Sequence, residues 1–193
     1  PSATERLDHV IRIAEELYIK IMLCIGQGNV RANRDFFNSQ EARIRYKNRL
    51  RYIVARWGYS PAVGMWEFFN EIDNIQHRDR DGIIPSEEIV AWHDHMSTYL
   101  KGIDPFDHIT TTSISHRDLE GLNSVKDLDI NQKHIYNATA SVPGTILSYS
   151  EKFGKPYIIG ECGYEWDWSK NFDDFADGMK MDFRRGLWYG VFN

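Results

Sequence analysis

Cysteine is nearly absent: Cys24 and Cys162 are the only two in 193 residues, too few for a disulfide framework and without a C-x-x-C metal pattern. No apolar run approaches the roughly 20 residues that a membrane-crossing helix needs; stretches such as Ile19 to Ile25 have the length of strands. Glycine-rich phosphate loops are missing too. There is no G-x-G-x-x-G and no G-x-x-x-x-G-K-[ST], and Gly26-Gln27-Gly28 lacks a third glycine, which removes the usual nucleotide-binding reading. Positive charge is also in deficit: 23 Lys and Arg stand against 28 Asp and Glu, a formal charge of −5, with no basic stripe to attract nucleic acid. The opening Pro-Ser-Ala-Thr carries no basic-then-apolar leader, so any targeting signal is expected outside these residues.

What the chain does have is apolar and aromatic content, 42% and 13%, sufficient for a substantial core in a single domain. Leu7, Val10, Ile11, Ala14 and Leu17 recur at helical spacing before the strand-like run to Ile25. Ser39 caps a second helical pattern with Ile44, Leu50, Ile53, Val54 and Trp57 on one face, ending near Gly58. Strands are expected at 62–69, 108–115, 130–136 and 157–160, with helices over 86–100, around Ile146 to Phe153, and over 172–188.

Strands alternating with helices predict an α/β protein with a parallel sheet, either an open doubly wound sheet or a (β/α)8 TIM barrel. Polar and acidic residues collect just after the carboxyl ends of the strands, which favours the barrel. Five strands are legible where the barrel needs eight. The expectation is therefore a partial (β/α)8 barrel over 1–193, holding about strands 3 to 7 and cut at both ends, with two unpaired edges.

Two acids stand where strand-forming runs stop. In Trp66-Glu67-Phe68-Phe69-Asn70-Glu71, alternation puts Glu67, Phe69 and Glu71 on one side, facing the barrel axis. In Tyr157-Ile158-Ile159-Gly160-Glu161-Cys162-Gly163, it puts Tyr157, Ile159 and Glu161 together, with Glu161 ending its strand. Strand ends on one rim of a barrel converge on a single cleft, and a pair of carboxyls there is the apparatus for cleaving a glycosidic bond.

At these residues the chain resembles the clan A glycoside hydrolases, particularly family 5, whose fourth strand reads approximately W-E-x-x-N-E-P and whose seventh ends in a nucleophilic Glu within G-E-x-G. Trp66 to Glu71 match the first pattern, Gly160-Glu161-Cys162-Gly163 the second, and His134-Ile135-Tyr136 the H-x-Y of the sixth strand. The resemblance implies a retaining hydrolase of a β-linked glycoside or polysaccharide, with no obligatory cofactor and no metal. Glu71 would be the general acid/base and Glu161 the nucleophile. Asn70 would hold the 2-hydroxyl of the sugar, Tyr136 would bond the nucleophile, and His134 would line the cleft. The expected carboxyl separation is ~5 to 5.5 Å, against ~6.5 to 9.5 Å for inversion. The chain departs from the pattern at Ile72, where the family has Pro, and at Cys24-Ile25-Gly26-Gln27, where many members place a His.

Trp166, in the loop after Glu161, is a candidate platform for a sugar face beside Trp168, and His116 a further cleft candidate, whereas Trp57, Trp66 and Trp92 read as packing. Glu67 reads as a structural acid in need of a buried partner. Asp79, Asp81, Gly82 and Glu88 follow calcium-loop spacing, but His77 would take position one and Pro85-Ser86-Glu87-Glu88 reads as a helix start. Asn137-Ala138-Thr139 forms a sequon expected to stay unmodified. The rival from another class is a carbohydrate-binding barrel that keeps the cleft without turnover. Oligomeric state and compartment are not written in these residues; export follows only by analogy with polysaccharide-degrading relatives.

Overall fold

The computed structural model describes residues 2–27, 33–77, 82–165 and 169–192. The chain alternates helix and strand: α1 (Ala3–Glu16), β1 (Ile21–Cys24), α2 (Arg34–Asn38), α3 (Gln40–Trp57), β2 (Val63–Glu67), α4 (Ile72–Gln76) and α5 (Ser86–Ile103). There follow β3 (Ile109–Thr111), β4 (Ser113–Ile114), β5 (Asn131–Tyr136), α6 (Val142–Phe153), β6 (Tyr157–Gly163) and α7 (Ala176–Val191). Local chemistry sets the boundaries. Ser2 and Glu5 form a reciprocal capping box on α1, and the Ser39 hydroxyl accepts from Ala42 N at the start of α3. Gly154, at φ 62°, closes α6 in the left-handed conformation that glycine adopts without a Cβ penalty.

All strand pairings are parallel, in the order β1-β2-β3 and β4-β5-β6. The segment expected at 108–115 is one strand broken at Thr112 into β3 and β4, and backbone bonds continue across the break from Phe68 N to Thr111 O (2.9 Å) and from Ser113 N to Phe69 O (3.0 Å). The result is an α/β array of five consecutive parallel strand segments, the connectivity that helical crossovers produce. Between sheet and helices lies an apolar core built on Leu50, Ile53, Trp66, Phe68, Trp92 and Met96.

Trp66 and Trp57 pack as anticipated, each indole N–H satisfied by a carboxylate: Trp66 Nε1 donates to Asp104 Oδ2 and Trp57 Nε1 to Asp8 Oδ1, both at 2.8 Å. The apolar faces are less completely covered than the periodicity implies. Val10 on α1 and Leu17 at its C-cap are 51% and 61% exposed, and Ile44 on α3 is 52% exposed.

Strict alternation fails at both strand ends that matter. β2 ends at Glu67, and Phe69 does not line an interior face with it; the Phe69 ring joins Phe36, Phe37, Tyr46 and Trp92 of α2, α3 and α5, at centroid distances of 5.3 to 6.4 Å. In β6, which runs to Gly163 and so past Glu161, Lys133 pairs with Ile159 and His134 with Glu161, leaving Gly160 as the extra residue of a bulge. Tyr157 packs on Tyr149 of α6 and Ile159 joins that apolar cluster, whereas Gly160 faces Gln132. Two successive residues of a bulge share a side, so Glu161 turns away from Tyr157 and Ile159 rather than with them.

Candidate active site

Glu71 sits beyond the end of β2 as the N-cap of α4, with φ 56° and ψ 56°. A non-glycine residue in that left-handed region costs on the order of 1 kcal/mol or more and persists only where the surroundings hold it. They do: Glu71 N donates to Ser113 Oγ of β4 at 2.9 Å, and the preceding Asn70 N donates to Gly26 O at 2.9 Å. The twist turns the Glu71 side chain toward the end of β5, where His134 Nδ1 lies 3.0 Å from its Oε1.

Glu161 reaches the same point from β6. Its bulge places it opposite His134 in register, with His134 Nδ1 3.7 Å from its Oε1, and the Tyr136 hydroxyl donates to its Oε2. Burial and the Glu161 carboxylate both push the Tyr136 phenol above its ordinary range, so it stays a donor. One donor atom each from Glu71, His134 and Glu161 lies within 4.8 Å of the other two. The His134 side chain is 1% exposed, Glu71 24% and Glu161 45%, so the imidazole is the floor and the two carboxyls face solvent across it. Three such donors could surround a cation, but here they are engaged with one another and with Tyr136.

Beneath this triad is Glu67. Burial raises its carboxyl above the usual range, partly offset by bonds from Ser113, Cys24 and Gln132 and by nearby His134. The buried partners that this acid needs are thus the Ser113 hydroxyl and the Gln132 amide, whose Nε2 donates to Glu67 Oε1 at 2.7 Å. Burial of the sulfur, with Glu67 beside it, pushes the Cys24 thiol up to about 12, and Sγ donates to Gly26 O.

Two residues that pattern-matching passed over complete the site. Asp73, fully buried, accepts from Ser115 N (2.8 Å), His116 N (3.0 Å), Arg117 N (3.2 Å) and the Ser115 hydroxyl (3.0 Å). Burial alone would raise its carboxyl, yet these donors hold it below the ordinary range. Asn74 Nδ2 donates to Glu71 Oε2 at 2.8 Å. Both follow Glu71 directly, in Asn70-Glu71-Ile72-Asp73-Asn74; the available signal was that polar residues persist through a short helix whose apolar neighbours are buried. His116 is exposed at the loop after β4, Asn70 is half-buried at the end of β2, and the Trp166 and Trp168 candidates lie outside the described residues. Glu88 is committed elsewhere, bonded to Arg34 and Asn38, and positions 78–81 of the calcium-like spacing also lie outside the described residues. Asn137 holds the chain beyond β6 by accepting from Glu165 N at 2.9 Å, and Thr139 of the sequon is buried.

No protein-family model matches the chain. Among curated proteins it is 26% identical over 204 residues to mannan endo-1,4-beta-mannosidase A of Podospora anserina, covering 86% of this chain and 52% of that protein. It is 24% identical to mannan endo-1,4-beta-mannosidase A of Aspergillus aculeatus (81% and 44% covered) and 23% identical to mannan endo-1,4-beta-mannosidase F of Aspergillus fumigatus (92% and 49% covered). The chain thus spans about half the length of the curated relatives it matches. Among solved structures, Bacteroides uniformis beta-glucuronidase superposes with a TM-score of 0.69 at 16% identity, covering 94% of this chain and 23% of that one. Ruminococcus gnavus beta-glucuronidase gives 0.66 at 12% identity over 94% and 33%. These structures share its α/β fold, and its curated relatives are glycoside hydrolases.

Proposed function

We propose that this chain is the central part of a (β/α)8-barrel glycoside hydrolase that cleaves a β-linked polysaccharide with retention of configuration, Glu71 acting as acid/base and Glu161 as nucleophile. A β-1,4-mannan is the substrate class favoured by the curated relatives. The observation that carries the reading is the approach of the Glu71 and Glu161 carboxyls to within 4.8 Å across His134, from residues 90 apart in sequence (161 − 71). That approach of single oxygens is in keeping with the ~5 to 5.5 Å between the carboxyl groups of retaining enzymes more than with the ~6.5 to 9.5 Å of inverting ones, and supports double displacement.

In the first step the Glu161 carboxylate attacks the anomeric carbon, the glycosidic C–O bond breaks, and the leaving oxygen takes the proton of Glu71. In the second, water attacks the same carbon, Glu71 recovers a proton from it, and the ester bond to Glu161 breaks. Tyr136 orients Glu161 by its hydroxyl. Asn70 and Trp166 are proposed substrate contacts, the former to the 2-hydroxyl and the latter to a sugar face.

The test is hydrolysis of β-1,4-mannan by wild type, Glu71→Ala and Glu161→Ala, with the product anomer followed by NMR. Each variant is expected to stay folded and lose at least ~10³-fold in kcat/KM, and the first product to retain the β configuration. Wild-type turnover in either variant overturns the assignment. Mannan binding without release in wild type would favour the non-catalytic carbohydrate-binding barrel.

A further inference from the structure

Asn74 touches Glu71 on the oxygen that His134 does not. Its Nδ2 lies 2.8 Å from Glu71 Oε2 and 3.4 Å from Ser115 Oγ, so one amide group spans two acceptors. An asparagine amide can face either way, and the neighbouring chain of hydrogen bonds decides which. Asp73, held ionised by three backbone N–H groups, is acceptor-only, and the Ser115 hydroxyl must therefore spend its single proton on Asp73 Oδ2. The lone pairs of Ser115 Oγ are left to accept, and what they accept from is the Asn74 amide nitrogen. The same nitrogen then presents its second hydrogen to Glu71.

Resting on the catalytic reading of Glu71, we propose that Asn74 is a positioning residue for this acid: oriented by Asp73 through Ser115, it donates to Oε2 and holds the carboxyl in place beyond the end of β2, with Oε1 on the side of His134 and Glu161. Without that bond the side chain is free to turn about its terminal torsion, and the acid meets the leaving oxygen in the right orientation only part of the time. The charged and titratable groups around Glu71 are His134 and Tyr136 of β5, Glu161 of β6, Glu67 facing His134 from β2, and Asp73 of α4.

The experiment measures kcat/KM near neutral pH for wild type, Asn74→Ala and the near-isosteric Asn74→Asp in the complete polypeptide, on a β-1,4-mannan oligosaccharide and on a 2,4-dinitrophenyl β-glycoside. The dinitrophenolate departs without protonation, so its release does not need the acid. Mannan kcat/KM near neutral pH should fall by on the order of tenfold, with the dinitrophenyl glycoside nearly unaffected. Undiminished turnover of mannan, or equal losses on both substrates, overturns the inference while leaving the inactivity of Glu71→Ala and Glu161→Ala intact. Activity surviving in those two variants overturns both.

Discussion

At the scale of single residues, the site is a set of groups whose protonation is restricted by geometry. Tyr136 is a donor at any physiological pH, and the oxygen it binds on Glu161 is thereby withheld from rotation. Tyr136→Phe is expected to lower kcat by roughly 10- to 100-fold with KM nearly unchanged, because the bond orients the nucleophile and does not hold substrate; a steady-state comparison on mannan reads this directly. His93, away from the cleft, gives a stability prediction. Its Nδ1 donates to Ile89 O at 2.8 Å in a fully buried site, and burial pulls its pKa down to about 4 from 6.5. Between those values the unfolded chain binds a proton that the folded chain refuses, so stability falls as pH drops from about 6.5 toward 4. Denaturant titrations across that window should show a loss that His93→Gln reduces by up to roughly 3 kcal/mol.

At the scale of elements, two irregularities aim the acids: the left-handed turn that starts α4 and the bulge in β6. Both were illegible in sequence for a physical reason. Side-chain alternation is a property of an uninterrupted ladder, and whether a ladder continues depends on what the neighbouring strands bond, here Ser113 beside Glu71 and the His134–Glu161 register. The order of strands and helices was legible, because apolar periodicity and caps such as Ser39 and Gly154 are local. So was the meeting of Glu71, His134, Tyr136 and Glu161 at one rim, since Glu71 follows a parallel strand and the other three lie in the carboxyl-terminal halves of theirs. Alternation puts Phe69 and Glu161 on sides that the structure reverses, and the role of Asp73 is not legible because its partners come from the distant loop after β4. The bulge is testable through Gly160: a Cβ there would sit 2.7 Å from Gln132 Cδ and 2.9 Å from its Nε2, in a side chain bonded to buried Glu67. Gly160→Ala should cost about 1 to 3 kcal/mol in chemical denaturation, and should depress activity by displacing the adjacent Glu161. Asp73→Ala, which strands three backbone N–H groups and a hydroxyl, should cost on the order of 3 kcal/mol.

At the scale of the whole molecule, the strand array is open on both sides: β1 bonds only β2, and β6 only β5, among the described residues. Next to the β6 edge, α7 carries Phe183, Leu187, Trp188 and Val191 at 54% to 74% exposure, with Phe192 at its C-cap at 71%, although helices that cover a sheet normally bury such residues. An apolar groove runs between α6, β6 and α7, lined by Ile146, Tyr157, Ile159, Phe183 and Leu187. A parallel strand with a free edge and an apolar helix beside it is a template for further strands, from the same polypeptide in the barrel proposed above or from other molecules otherwise. The 193 residues expressed alone should therefore self-associate, and light scattering coupled to size exclusion should show species larger than 22.6 kDa that grow with concentration. Replacing Phe183 and Leu187 by lysine should reduce that association without altering the Glu71–Glu161 geometry, because those residues lie on the helix side of β6. A monodisperse monomer at high concentration would mean that the open edge is protected by the chain itself, and would count against completion of a barrel at β6.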